Sequence, residues 1–441
     1  MSIDSHLALY TAAGVRALDE YAIGTARIAG LTLMRRAATA CVEVLRERWP
    51  RASRVLVCCG SGNNAGDGYL VAGMLADKGL DVTAVSVGHV DKLGSDGREA
   101  YHYCCSTGVT FRTLDDISID GFDVIVDALL GTGIKGQVRA DYLEVIAPVN
   151  QSNRPVLAVD IPSGLCADTG MRLGDAISAE VTVTFIGRRQ GLYTLDGPDC
   201  AGELYYADLG VPPETFDAVP PDAMIIDLAR SLAALPPRPK NAHKNTFGHV
   251  LVIGGDEGMG GAVSMCAETA LRAGAGLVSV ATHPSHVNAI LARRPELMVR
   301  GAEHPDDLVP LLARASVVAL GAGLGRSSWS SRMFKKAMEV TRDEALPVVL
   351  DADGLNLLAM HSERRDDWVL TPHPGEASNL LQDNRIGQDR FASVRRLKER
   401  FGGVVLLKGA GTLVAEDDGI SVCTQGNPGM ATAGMGDVLE G

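Results

Sequence analysis

The chain has 441 residues, too many for one ordinary hydrophobic core, so two domains are expected. Hydrophobic residues make up 46% and charged residues 22%, a globular composition and not that of a disordered chain. A formal net charge of -13 argues against nonspecific nucleic-acid binding, which needs a basic surface to displace counterions; an anionic ligand must be met by local amides and a few placed lysines.

The 50 glycines follow no Gly-X-Y period and suggest tight turns and close backbone approaches to ligands. Nine cysteines include no Cys-x-x-Cys pair, and Cys58, Cys59, Cys104 and Cys105 form two vicinal pairs. We expect buried, reduced thiols in a cytoplasmic protein, and no metal spacing emerges. The first fourteen residues lack a basic stretch followed by an apolar core, so no export signal is visible. Apolar runs fall well short of the ~20 residues a membrane span requires, and no membrane partner is expected.

In chain order, helical spacing of apolar residues predicts helices over 10–26 and 31–48, the second stopping before Pro50. Short apolar runs then alternate with helix-length segments, at 55–59, 82–87, 124–130, 156–161 and 181–186. Such runs indicate a parallel sheet covered by helices on both faces. Between about Gly210 and Gly248 prolines cluster, which reads as an interdomain connection. The alternation restarts at 250–253, 277–281, 317–320, 348–350, 369–370 and 404–407, with no motif repeated between the halves. The last residue, Gly441, falls four positions after Asp437, where a helix should be beginning, so a missing C-terminal segment is expected.

Three glycine-rich or Asp-bearing loops follow strands of the first half. Gly60–Gly68 presents amides suited to a pyrophosphate, and its Asn63, Asn64 and Asp67 supply oxygens for a cation or a ribose. Alone it is equally a plain strand–helix turn in which Gly and Asn tolerate positive φ. Asp127 ends a strand before a second glycine loop, and Asp160 and Ser163 end a third. Three loops at the carboxyl ends of successive parallel strands converge on one crevice, where open α/β sheets bind ligands. One such Asp would more often be a helix cap.

Residues 10–19, 33–37, 60–68, 127–136 and 159–164 together resemble the NAD(P)H-hydrate epimerase family across roughly residues 1–215. The resemblance implies interconversion of the two C6 epimers of hydrated, reduced nicotinamide. It assigns Asn63, Asn64, Ala65, Gly66 and Asp67, with Gly131, Thr132, Gly133, Ile134, Lys135, Gly136 and Gln137, to the dinucleotide. It assigns Asn64, Asp127 and Ser163 to a potassium ion. Asp160 matches the substrate-contacting aspartate and is expected to be the acid/base, a role that typically contributes ~10²–10⁴ in rate. Ala65 stands where the family usually has glycine.

The second half runs from His243-Lys244 through a strand into Gly254–Ala262, then through 320–325, 350–356, 370–376 and Lys408–Thr412. Its sharpest feature is Gly426–Leu439, where a glycine-rich segment enters a helix. Gly434–Asp437 amides could stabilise a phosphoryl group, and Asp437 could accept a proton from an attacking hydroxyl. Standing alone, Asp437 would read as an ordinary first-turn acid. With its five companion loops the segment resembles the ADP/ATP-dependent NAD(P)H-hydrate dehydratases over about residues 240–441. That resemblance implies that Ala262, Gly323, His373 and Asp437 contact the hydrate. It places Lys408, Gly409, Ala410, Gly411, Thr412 and Gly436 on ADP or ATP, with Mg2+ accompanying the nucleotide. It further implies phosphorylation of the C6 hydroxyl with Asp437 as general base, then loss of phosphate. His373, between two prolines, is equally a rigid loop residue. Met435 replaces a small polar residue, and Asn245 stands where glycine is common.

The implied architecture is two three-layer α/β/α domains, residues 1–216 Rossmann-like and 217–441 ribokinase-like. The expected partners are the hydrates NADHX and NADPHX with ADP or ATP, in a cytoplasmic homo-oligomer. Dehydration would act on the S epimer. Two other readings stay open: a ribokinase-like vitamin-precursor kinase fused to a dinucleotide-binding module, and a non-catalytic cofactor-binding scaffold.

Overall fold

A computed structural model describes residues 5–134, 136–361 and 363–441. Lys135, expected at the dinucleotide, lies outside the described residues. The chain forms two compact units, one up to Ile225 and the other Ile226–Gly441. The division falls beyond the expected 216/217 boundary, because Ala223–Ile225 is a strand paired antiparallel with Ala8–Tyr10.

Seven parallel strands form the main sheet of the first unit. Across it they run Thr110–Arg112, Asp81–Ser86, Arg54–Cys59, Val124–Ala128, Val156–Val159, Val181–Phe185 and Glu203–Ala207. Strand order reverses between Arg54–Cys59 and Val124–Ala128, which opens a crevice at their carboxyl ends. Alternation along Arg54–Cys59 covers both faces. Val55, Val57 and Cys59 pack with the helices Gly30–Arg48, Asn63–Asp77 and Ser95–Ser106, whereas Leu56 and Cys58 pack with Ala140–Gln151. This is a three-layer, Rossmann-like α/β/α unit.

Several boundaries differ from expectation for identifiable reasons. The first helix is Ala12–Gly24 and not 10–26: Thr11 caps it by accepting from the Gly14 amide at 3.2 Å, and Tyr10 belongs to a strand. The strand expected over 124–130 ends at Ala128, because the Leu129 and Leu130 amides turn to the side chains of Asp127 and Ser163. Thr110–Arg112 and Glu203–Ala207 were not foreseen, being short or partly polar edge strands. All nine cysteines are free; Cys105 is exposed, and Cys166 and Cys423 are only partly covered.

In the second unit the sheet runs Met298–Gly301, Leu277–Thr282, His249–Ile253, Val317–Leu320, Val348–Leu350, Trp368–Leu370, Val404–Leu407, Thr412–Glu416 and Gly419–Cys423. Pairing is parallel up to Val404–Leu407 and antiparallel thereafter. The helix Gly260–Ala273 covers Val252, Val278, Val280 and Ala319, while Leu251, Val318 and Leu320, of opposite parity, are buried too. Helices on both faces and an antiparallel end make this unit ribokinase-like. Among the described residues, no helix is long and apolar enough to cross a membrane.

The tightest approach in the first unit is at Gly60, where a Cβ would lie 1.8 Å from the Leu129 carbonyl oxygen. Gly60→Ala must push the two loops apart, and we expect a loss of roughly 2–4 kcal/mol. A urea midpoint equal to the unsubstituted protein's would contradict this account.

Candidate active sites

The crevice of the first unit is a cavity of about 780 Å³. Its walls include Asn63, Asn64 and Asp67, then Gly131–Ile134 and Gln137, then Asp160. Asp19 and Arg189, which the sequence reading missed, complete it. Ala65, Gly66 and Gly136 are not among the lining residues. The helix begins at Asn63 and not near Tyr69, so Ala65 and Gly66 already lie on its buried face. A Cβ on Gly66 would come within 2.7 Å of Met34 Sδ. None of Gly60, Gly62, Gly66 and Gly68 has positive φ; close packing, and not turn geometry, accounts for glycine at 60, 66 and 68.

Asp160 adopts φ +68, an uncommon conformation for a residue with a side chain, at the turn following Val156–Val159. Its buried carboxylate accepts from Arg189 Nη2 at 2.8 Å and from Thr184 Oγ1 at 3.4 Å. Arg189 also donates to the Phe185 and Gly187 carbonyls, which fix it against the sheet. Around this pair other carboxyls are forced toward neutrality. Burial pushes Asp19 up to about 6, with Arg189 opposing and Asp160 adding to the rise. Asp67 is raised well above the carboxylate range by burial, with Asp160 and Asp19 contributing. One cavity thus holds a charge-paired carboxylate and a carboxyl favoured in its neutral form, a pairing suited to acid–base chemistry.

Beside the cavity, Asp127 and Ser163 are fully buried. Asp127 accepts from Ser163 N at 2.8 Å, Ser163 Oγ at 2.6 Å and Leu129 N at 3.2 Å. Asn64 donates Nδ2 to the Leu130 carbonyl at 3.2 Å, and Ser163 Oγ also reaches Leu130. Burial nevertheless outweighs these bonds and lifts Asp127 to about 6. The structure therefore joins the three expected cation ligands through one loop, with a buried carboxylate short of positive charge. Carboxylate, hydroxyl and amide oxygens are hard donors, a set that suits a hard cation.

In the second unit Lys408 Nζ lies 2.6 Å from Asp351 Oδ1 and 3.8 Å from Glu376 Oε2. Burial raises Glu376 to about 7. A Cβ on Gly436 would lie 3.5 Å from Lys408 Nζ and 3.6 Å from Asp351 Oδ2, so the Met435–Glu440 helix abuts this pair. Gly434 enters that helix at φ +89, a conformation that favours glycine. Asp437 is half-buried and raised by burial and by Asp351, with Lys408 opposing. A Cβ on Gly323 would lie 3.0 Å from Ala262 Cβ, which places those two positions side by side. The Ala262 helix packs on the Asp437 helix: a Cβ on Gly434 would lie 2.9 Å from Met265.

His373 has a definite structural task. Its Nδ1 accepts from the Gly375 and Glu376 amides at 3.0 and 3.3 Å, and its own amide donates to Glu376 Oε2 at 2.8 Å. It is the N-cap of Pro374–Leu381, and burial and Lys408 lower its pKa. The Lys408–Thr412 turn closes through Thr412 Oγ1, which donates to the Gly409 carbonyl at 3.0 Å. Arg390, fully buried, donates to the Leu407, Lys408, Ala410 and Gly411 carbonyls. Asp351 and Glu376 lay within motifs noted in the sequence but had been given no role there; Arg390 lay outside every motif.

Residues 30–191 match the family described as YjeF-related protein N-terminus, and residues 250–441 match the family described as NAD(P)H-hydrate dehydratase. A curated protein of Coxiella burnetii named bifunctional NAD(P)H-hydrate repair enzyme is 45% identical, covering 98% of this chain and 88% of its own. Relatives of the same name from Escherichia coli and Vibrio cholerae are 41% and 40% identical, covering 94% and 93% of this chain and 81% and 82% of theirs.

The Asp160–Arg189 ion pair gives a direct test of the first site's framework. Arg189→Met leaves a buried carboxylate uncompensated and should destabilise the protein by about 3–5 kcal/mol. Adding Asp160→Asn removes the remaining charge and should recover part of that loss in a denaturation series. Additive losses would contradict the pairing.

Proposed function

The chain belongs to the family of bifunctional NAD(P)H-hydrate repair enzymes, and we propose that its two sites divide the two reactions between them. It is an NAD(P)H-hydrate epimerase and an ADP/ATP-dependent NAD(P)H-hydrate dehydratase. The observation that carries the division is that each unit sets one aspartate, Asp160 or Asp437, among loops gathered at strand ends.

In the first unit the walls at Asn63, Asn64, Asp67, Gly131–Ile134 and Gln137 bind the dinucleotide, and Asp160, oriented by Arg189, is the acid/base for inversion at C6. Asn64, Asp127 and Ser163 hold potassium. The buried Asp127 carboxylate supports this, since a monovalent cation offsets its charge without the dehydration cost of a divalent ion. When bound, the ion supplies positive charge at the loop that frames the ring.

In the second unit Asp437 accepts the proton of the C6 hydroxyl as that oxygen attacks the terminal phosphoryl group. Amides of the Gly434–Asp437 turn have no acceptors within their own helix and face the charge that develops. Departure of phosphate from C6 with loss of a C5 proton to solvent then restores the dihydropyridine, phosphate being a better leaving group than hydroxide. Lys408–Thr412 and Gly436 hold the nucleotide, Lys408 as its cation. Ala262, Gly323 and His373 border the S-epimer hydrate. Mg2+ arrives with the nucleotide and is assigned no protein ligand. Nine unpaired thiols support a reducing, cytoplasmic setting.

Asp437→Asn should lower nucleotide-driven recovery of NADH absorbance by about 10²–10⁴-fold while epimer exchange continues. Asp160→Asn should do the reverse. Loss of both activities in either folded variant contradicts two separate sites.

Because Asp437 must be ionised to act, and its pKa is raised, dehydration should fail at a higher pH than for an ordinary carboxylate base. A kcat/KM profile flat down to the ordinary carboxylate range would remove Asp437 as the base.

For Asp127 the linkage sign is set by a folded pKa of about 6 against an ordinary carboxylate value of 3.8. Ionisation costs stability, absent below 3.8, growing as pH rises between the two values and complete above 6. Potassium, compared with choline at equal ionic strength, should raise the Tm at neutral pH, and this gain should fade on acidification through 6. Asp127→Asn should abolish it, and a gain independent of pH contradicts the site.

A further inference from the structure

The cavity of the first unit holds more carboxyl groups than the acid/base role of Asp160 uses. Asp67 lines it together with Asp160, and the charged groups acting most strongly on Asp67 are two further carboxyls, Asp160 and Asp19. The two aspartates reach the cavity from different sides. Asp67 belongs to the helix Asn63–Asp77 that follows Arg54–Cys59, and Asp160 follows Val156–Val159. Those strands flank Val124–Ala128 on opposite sides. A ring seated over the tip of that central strand has one aspartate toward each edge.

Resting on the epimerase reading above, we propose that Asp67 is a second catalytic residue, donating a proton to the departing C6 hydroxyl while Asp160 accepts one from the water that enters the opposite face. The reaction is then inversion by loss and re-addition of water. The C6–O bond breaks, the hydroxyl takes the Asp67 proton and leaves as water, and the N1 lone pair forms the N1–C6 double bond of an iminium ion. A water oxygen then bonds to the other face of C6, and its surplus proton passes to Asp160. Nothing is oxidised or reduced; one solvent oxygen replaces the original. Asp67 finishes ionised and Asp160 protonated, the arrangement required to run the other epimer backwards, and exchange with solvent resets both.

Two physical features support this route. Burial and the neighbouring carboxyls favour the protonated form of Asp67, as a donor requires, while Arg189 Nη2, 2.8 Å from the Asp160 carboxylate, orients it as the acceptor. The cationic ring would form beside Asp67, which is left ionised once its proton has gone to the departing hydroxyl, and beside Asp160, which is paired with Arg189. Such a setting stabilises a transient cation more than it does the neutral hydrate.

The test follows oxygen. The full-length protein is incubated without nucleotide with one purified hydrate epimer in water enriched in oxygen-18. Inversion is followed by NMR and label by mass, each above the enzyme-free rate. One solvent oxygen should enter per inversion, and Asp67→Asn should slow both processes at least 100-fold with an unaltered unfolding midpoint. Asp67→Glu should restore part of the rate. Inversion without label would overturn the water route, because opening the ring at C6–N1 retains the original oxygen. Full activity in a folded Asp67→Asn variant would overturn the role of Asp67. No inversion at all by the unsubstituted protein would overturn the epimerase assignment beneath it.

Discussion

A carboxylate buried at the tip of a parallel strand must be held by whatever surrounds it, and in both units that requirement organises the site. Asp127 draws in the amide and hydroxyl of Ser163 and the amide of Leu129, so two loops meet where one side chain needs donors. Asp351 follows Val348–Leu350 in the second unit, equally buried, and is met by an ammonium group, Lys408. Hydrogen bonds alone leave the first carboxylate short of countercharge. A lysine satisfies the second, and the same lysine stands beside the turn at Gly436. The same need is met differently in the two units, by hydrogen-bond donors alone in one and by an ammonium group in the other.

The two reactions belong together for chemical reasons. Hydration of the reduced nicotinamide ring creates a stereocentre at C6, and a catalyst that binds one configuration leaves the other behind. An epimerase on the same chain returns that remainder to the usable form. Family membership places both activities here, which sets aside a vitamin-precursor kinase fused to a binding module and a scaffold without turnover.

Much of this was legible in the sequence because glycine and aspartate at strand ends are punctuation that physics makes hard to replace. Asp127, Asp160 and Ser163 end or follow apolar runs and Asp437 follows a glycine-rich segment, so their placement near strand and helix ends could be read from the sequence. What escaped depended on three-dimensional return of the chain. Arg189 lies outside every glycine motif, and only the pairing of Arg188–Arg189 with Ala8–Tyr10 brings it back over Asp160. The resemblance assigns Ala65 and Gly66 to the dinucleotide, and the structure sets both on the buried face of a helix that begins at Asn63, a start the glycine-rich run conceals. His373 read as a substrate contact or a rigid loop residue, and the structure gives it a capping role. Edge strands such as Met298–Gly301, with exposed residues, gave too little apolar signal to be seen.

The buried guanidinium of Arg390 sets the shape of the Lys408–Thr412 bend. Its donors are distributed over carbonyls on both sides of the hairpin bend, fastening that bend to the helix Arg390–Phe401. A loop so anchored has little conformational entropy left to lose when a ligand arrives. Affinity of any ligand at the hairpin then reflects contacts formed and not order imposed.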